Sequence, residues 1–254
     1  MKKLYTQDKK KFLAYNKQVP TKNKAPYVIF LHGLMSNMNG AKALATEKHC
    51  LQRGYNFIRF DNFGHGESAG KFQDQTISDW LEGINLIILE HADEQILLVG
   101  SSLGSWIACL AAKLHPEKII GVVTLAAALD FTEELIWNPL SEKEKQLFKE
   151  KGLYEAKGSN KDCAATYPIS YQLISDAKKH LLLNDKIDIS CPMQLIHGMK
   201  DYDVPYTITL RTASKLKSEQ VIVKLIKDAD HKLSRPEDLN ILYNSIDEIL
   251  RPEK

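Results

Sequence analysis

The sequence predicts a doubly wound α/β domain on a mostly parallel sheet, with one helical insertion. Three observations predict it. Short apolar runs alternate with amphipathic helix patterns along most of the 254 residues, as parallel strands joined by crossover helices require. One of these runs, Ile96-Leu97-Leu98-Val99, breaks into Gly100-Ser101-Ser102-Leu103-Gly104 and passes at once into a helix pattern. A single stretch, residues 130–189, interrupts the alternation.

Tyr27–Leu31 reads as a buried strand, followed by a helix over 41–52 that stops at Arg53-Gly54, with glycine in the C-cap place. The next strand is Tyr55–Phe60. The helix after it starts near Thr76, with Asp79 in capping-box spacing. It presents Ile77, Trp80, Leu81, Ile84, Ile87 and Ile88 as one core-facing stripe. After the Ile96–Val99 strand, Leu103, Trp106, Ile107, Leu110, Ala111 and Leu114 recur at helical spacing. Ile119–Leu125 is a strand. Residues 130–189 then exceed the roughly 2–6 residues of an ordinary connection between strand and helix, which marks a functional insertion. Within it, Pro139 to Glu144 reads as a helix start, and Pro168 separates that helix from a second over Ser170–Leu183. Met193–Ile196 is a strand, Ile208–Leu216 a helix and Val221–Ile226 a strand. Ser234-Arg235-Pro236-Glu237 opens a last helix, with serine as cap and glutamate at the third helical position. The whole chain, 1–254, is expected to be one domain with a cap insertion at about 130–189.

Composition narrows the partners. Hydrophobic content of 44% and charge of 26% are ordinary for a globular protein. The net charge of +2 comes with no long basic block, so nucleic acid is not an expected partner. Lys9-Lys10-Lys11 reads as a solvated turn. No apolar stretch approaches the ~20 residues of a bilayer span, and no apolar segment follows the basic start, so no stable membrane insertion and no secretory signal are expected. Cys50, Cys109, Cys163 and Cys191 show neither metal-site spacing nor a disulfide framework, and a reducing, cytoplasmic setting follows as the expectation. The oligomeric state is not legible.

The chemistry begins at Ser102. Gly-x-Ser-x-Gly between a strand and a helix is the context of a nucleophile elbow, where Gly100 and Gly104 permit the tight turn. A serine hydroxyl needs a base. His231, beyond the last strand, is placed to be one, with Asp201 or Asp203 on the preceding loop to orient it. Asp201 lies nearer the strand end, where the backbone is held, while Asp203 is placed to cap the helix that follows. Oxyanion donors would be the amides of Leu103, directly after the nucleophile, and of Leu34, after the turn at His32-Gly33. His49, His91, His115 and His180 are assigned no chemistry. No metal-ligand pair of the H-E-x-x-H kind occurs, and the glycine-rich loop Asp61–Ser68 reads as a structural loop beside the oxyanion loop, so neither metal nor cofactor is expected.

These residues carry a resemblance. His32-Gly33, Asp61-x-x-Gly64-His65-Gly66-x-Ser68, Gly100-x-Ser102-x-Gly104, His197-Gly198-x-x-Asp201-x-x-Val204-Pro205 and Asp230-His231 together are similar to the α/β-hydrolase superfamily. The resemblance implies Asp201 as the catalytic aspartate. Leu31–Ser36, Phe131-Thr132-Glu133 and His197–Asp201 resemble a narrower branch. That branch contains bacterial serine hydrolases and a mitochondrial enzyme that removes acyl groups from protein thioesters and acyl glucuronides. The resemblance implies a carboxylic ester or thioester hydrolase acting on a small-molecule or acylated-protein substrate. Ser105 departs from the pattern, since many relatives carry a further glycine there. The alternatives on the same fold are an acyltransferase, a carbon–carbon bond hydrolase and a ligand receptor without turnover. The insertion is rich in large apolar side chains, among them Trp137, Tyr154, Tyr167 and Tyr171. Some are expected to pack its own helices and the rest to line an acyl pocket over Ser102.

Overall fold

The structure is a computed structural model that describes residues 1–20, 25–91, 94–157 and 166–250. In chain order its first elements are β1 (Lys2–Tyr5), β2 (Phe12–Gln18), β3 (Tyr27–Leu31), α1 (Ala41–Arg53), β4 (Asn56–Phe60), α2 (Ile77–Glu90), β5 (Ile96–Ser101), α3 (Leu103–Leu114) and β6 (Ile119–Leu125). Next come α4 (Glu142–Lys151), the strands β7 (Leu153–Lys157) and β8 (Thr166–Ser170), and α5 (Tyr171–Ala177). The chain closes with β9 (Met193–Gly198), α6 (Thr207–Lys215), β10 (Val221–Ile226) and α7 (Pro236–Leu250).

One eight-stranded sheet runs β1-β2-β4-β3-β5-β6-β9-β10, with β4 through β10 parallel. Successive side chains of a strand face opposite ways, and both faces are covered here. Val28 and Phe30 of β3 join a core with Ala43 and Cys50 of α1 and Leu242 and Ile246 of α7. Their neighbours Ile29 and Leu31 join the opposite core with Trp80 of α2 and Trp106 of α3. This is the doubly wound, mostly parallel α/β sheet expected from the alternation. Thr76 and Asp79 close a capping box on α2, as do Ser141 and Glu144 on α4.

The N-terminal hairpin was not legible. β1 and β2 pair antiparallel with each other, and β2 pairs antiparallel with β4. Lysines interrupt their short apolar runs: β1 is an exposed edge strand, and in β2 only Leu13, Ala14 and Tyr15 are buried. Lys9–Lys11 form the turn between them, although Lys11 also reaches Asp79 at 2.7 Å. The last helix starts one residue later than its expected register. Arg235 precedes it, and Asp238 rather than Glu237 accepts the Arg235 amide at 3.1 Å.

Residues 130–189 differ most from expectation. Pro168 does not separate two helices. It lies in β8, which pairs antiparallel with β7, and a strand with no further neighbour tolerates a residue that cannot donate. The helix expected over Ser170–Leu183 ends at Ala177, with one tight turn over Lys178–His180. The amides of Leu182 and Leu183 turn instead to the carboxylate of Asp130, at 2.9 and 2.7 Å. Further ties hold this stretch to the sheet layer. Glu134 receives Arg211 at 2.7 and 3.0 Å, and Asp176 receives the amide and hydroxyl of Ser78, both at 2.8 Å. The insertion's aromatic rings pack on one another. Phe148 lies 5.4 Å from Tyr154 and 5.8 Å from Tyr171, and Trp137 lies 5.8 Å from Tyr171.

Candidate active site

β5 delivers Ser102 to the carboxyl edge of the sheet, and α3 begins at the next residue. Ser102 adopts φ 54°, ψ −118°, a conformation costing an ordinary residue on the order of 1–3 kcal/mol. Hydrogen bonds hold it there. Its amide donates to Leu125 O at 2.8 Å, and its carbonyl accepts the Ser105 amide at 2.9 Å. The Ser105 hydroxyl donates to Gly100 O at 2.8 Å, so this departure from the family pattern braces the turn from inside. Gly104 meets the β3 backbone closely. A Cβ there would stand 2.2 Å from Leu31 O and 2.7 Å from His32 O. Backbone atoms cannot rotate away, so Gly104→Ala is expected to cost about 3 kcal/mol or more. A fall in Tm of roughly 6–12 °C or loss of soluble protein would show it, and an unchanged melting curve would refute the tight packing.

The structure brings Ser102, His231 and Asp201 together from three loops. His231 Nε2 lies 3.2 Å from Ser102 Oγ, and its Nδ1 lies 2.7 Å from Asp201 Oδ2. Asp201 is buried, and its other oxygen accepts the amides of Asp203 and Val204 at 2.9 and 2.8 Å. Burial alone would raise the Asp201 carboxyl. The bonds from His197 and His231, with the charge of His231 and the Val204 amide, outweigh it and hold the group well below the usual carboxylate range. Asp203 does not cap the following helix: α6 begins at Thr207 with Tyr206 in the cap place and no side-chain cap bond. Asp201, Asp203 and His231 offer atoms within 4.8 Å of one another, the spacing of a cation site. A metal there would displace the hydrogen bonds that already fill Asp201.

The expected oxyanion donors flank Ser102. Leu103 opens α3, where first-turn amides have no partner within the helix and the positive end of the dipole points outward. Leu34 follows Gly33, whose missing Cβ would lie 3.2 Å from Ser102 Cβ. His32 fixes this loop. Its Nδ1–H donates to Gly33 O at 2.8 Å, and its Nε2 accepts the Asn62 amide at 3.0 Å. Burial, with His65 close by, pushes it down to about 3, so the ring is neutral and its tautomer is set by these partners. The Asp61–Ser68 loop therefore does stand against the His32–Leu34 loop, joined through Asn62.

A cavity of about 260 Å³ reaches Ser102 and His231. Leu34, Ser36, Lys42 and Lys232 are among its lining residues. Lys42 donates from Nζ to Lys232 O, and burial pulls its ammonium down to about 8 against the opposing pull of Asp230, Asp201 and Asp238. Among the described residues, none of 130–189 lines this cavity. The ring contacts among Trp137, Phe148, Tyr154 and Tyr171 meet the expectation that part of the insertion packs on itself, and the expected lining of the site by the rest is not found at this cavity. Ser78, Asp176 and His180 form a second Ser-Asp-His group, at 2.8 Å and 2.7 Å. There the Ser78 hydroxyl gives its proton to Asp176 and accepts from His180, so no base faces it. It fastens α5 to α2.

Two residues with positions in this site had no role read from the sequence. In the sequence His32 is legible only as part of His-Gly, and His197 only as part of the motif around Asp201. Among the described residues, Cys50, Cys109 and Cys191 are free thiols, and Cys163 lies outside them. No described helix is long and apolar enough to cross a membrane.

Residues 22–166 match the family described as serine aminopeptidase, S33. The human mitochondrial palmitoyl-protein thioesterase ABHD10 is 37% identical over 238 residues, covering 94% of this chain and 76% of the relative. Among solved structures, mouse alpha/beta hydrolase domain-containing protein 10 superposes with a TM-score of 0.90 at 34% identity, covering 98% of this chain and 97% of the other. A hydrolase from Agrobacterium vitis S4 gives 0.91 at 32% identity, with the same coverage. The cytoplasmic setting expected from the sequence is overturned by these relatives, since the human and bovine proteins are mitochondrial. Reduced cysteines did not distinguish the two compartments.

Proposed function

The chain belongs to the serine aminopeptidase, S33 family and is a hydrolase of α/β-hydrolase fold, and from that premise we propose that it cleaves carboxylic esters or thioesters of apolar acyl groups through an acyl-enzyme. The observation that carries the mechanism is His231, bonded to Ser102 on one side and to Asp201 on the other. Ser102 Oγ attacks the acyl carbonyl as His231 Nε2 takes its proton. The amides of Leu34 and Leu103 hold the oxyanion, and His231 returns the proton to the leaving group. Water then repeats the cycle on the acyl-Ser102 ester. Asp201 fixes the tautomer and stabilises the imidazolium, and no cofactor takes part. Small acyl compounds or acylated proteins serve as substrate. The palmitoyl-protein thioesterase relatives support sulfur leaving groups, by the activity in their name.

A hydrolysis series tests this, with acyl length varied and oxygen and sulfur leaving groups run in parallel. Each CH₂ buried contributes about 0.8 kcal/mol, so kcat/KM is expected to rise about fourfold per carbon, or roughly fifteenfold per two, until the site is full. Medium acyl chains should outperform acetyl on both leaving atoms. Acetyl esters as best substrates, with longer chains refused, would overturn the apolar-acyl reading. Covalent labelling of Ser102 by a fluorophosphonate separates turnover from a receptor that keeps only the fold.

A further inference from the structure

Asp201 receives a second histidine. His197 Nε2 lies 3.1 Å from Asp201 Oδ2, the same oxygen that His231 Nδ1 meets at 2.7 Å. His197 is the next-to-last residue of β9 and is fully buried, so water does not compete for its ring. Its protons can be placed from its neighbours. Nε2 faces two acceptors, Asp201 Oδ2 and Val204 O at 3.0 Å, so Nε2 must carry a proton. Nδ1 faces Thr209 Oγ1 at 2.7 Å, and that hydroxyl can donate to it. Thr209 on α6 thereby holds the ring with Nε2–H aimed at the carboxylate.

A carboxylate has about four acceptor sites. On Asp201 they meet the Asp203 amide, the Val204 amide, His231 and His197. Each donor reduces what the oxygens can give the others, and the two histidines share one oxygen. We propose that His197 is a positioning residue of this site. Its Nε2–H pins Asp201 and takes up acceptor capacity that would otherwise go to His231, which keeps the base ready to accept a proton. The inference rests on the Ser102–His231–Asp201 reading above. His197 touches no substrate and acts only through Asp201. Among the causes that lower the Asp201 carboxyl, the bond from His197 is the largest, in keeping with a shared oxygen.

The test compares His197→Gln with His197→Asn. Glutamine places an amide N–H near the position of Nε2, and asparagine, one carbon shorter, does not reach Asp201. Both are neutral and polar, so a merely structural role would be lost alike in each. Without the second donor, Asp201 stabilises the imidazolium of His231 more strongly. In His197→Asn the acid limb of the kcat/KM profile should therefore move to higher pH by about one unit. Its kcat should fall on the order of tenfold or more from a looser Asp201, with KM within about twofold. In His197→Gln both the limb and kcat should return most of the way. The other charged groups around His231 are Asp203, its neighbours Asp230 and Lys232, and Lys42 of α1, and neither variant alters them.

A folded His197→Asn with the wild-type acid limb overturns the proposal, as does equal loss in both variants. Should neither fold, the wild type decides. With ¹⁵N-labelled histidines, the His197 Nε2 resonance should move at the pH midpoint of His231 and again when Ser102 is phosphonylated. A His197 resonance that stays still at both steps overturns the proposal. Failure of the underlying triad would show separately, as activity surviving Ser102→Ala.

Discussion

Ser102→Ala is expected to remove nearly all hydrolysis of an activated aryl ester while the protein folds as before. Alanine is smaller than serine, and the bonds that hold the elbow come from the Ser102 backbone and from the Ser105 hydroxyl. The positive φ is as demanding for alanine as for serine, so stability should change little. Loss of a serine nucleophile in such a unit costs on the order of 10⁴–10⁶ in kcat, the remainder coming from the oxyanion donors and substrate binding. Initial rates with the aryl ester, beside a melting curve, check both halves. A variant with a tenth of the activity would move the nucleophile elsewhere, and Ser101, one residue earlier and buried, would be examined next.

Asp201→Asn should cost about 10⁴-fold in kcat. All four contacts to the carboxylate are donors. An asparagine NH₂ must therefore face a donor whichever way the amide turns, and His231 is driven toward the wrong tautomer. Asp203→Asn should stay within a few-fold, because the backbone amide that Asp203 donates to Asp201 is kept in the variant and Tyr206, not Asp203, stands in the cap place of α6. The reverse pattern in steady-state kinetics would hand the orienting role to Asp203. Moderate acid should not act through Asp201. The lowered Asp201 carboxyl stays ionised at working pH, and its stabilising contribution, full above the unfolded carboxylate range, is lost progressively as pH falls from there through its folded value.

The parts of the fold read from sequence were those with a periodic local signal. The Ile77–Ile88 stripe and its Thr76–Asp79 cap fall where the residues place them, and so do the buried strands around Gly100–Gly104. β1 and β2 escaped because an edge hairpin dotted with lysines carries little periodicity, and its pairing with β4 is made across distant sequence. Pro168 misled for a related reason. Proline ends helices, but it also sits in unpaired-edge strands, and only the partner strand distinguishes the two. In the site, Ser102 and Asp201 stand in recognisable spacings. The role of His197 depends on Thr209 from another element, a contact that no motif encodes.

The ties on residues 130–189 bear on how substrate comes and goes. Lids that gate turnover usually swing on microsecond-to-millisecond timescales because little holds them down. Here the buried Asp130 carboxylate grips the amides of Leu182 and Leu183. Hydrogen bonds to a charged group contribute about 1.5–3 kcal/mol each, so parting two costs roughly 3–6 kcal/mol. At any moment only about one molecule in 10²–10⁴ would have that end detached. In deuterated solvent, these two amides should keep their protons far longer than those of an untethered flap. Traffic to Ser102 then runs past the Leu34 and Lys232 loops, through the cavity already open there, without requiring the tethered end of the insertion to move.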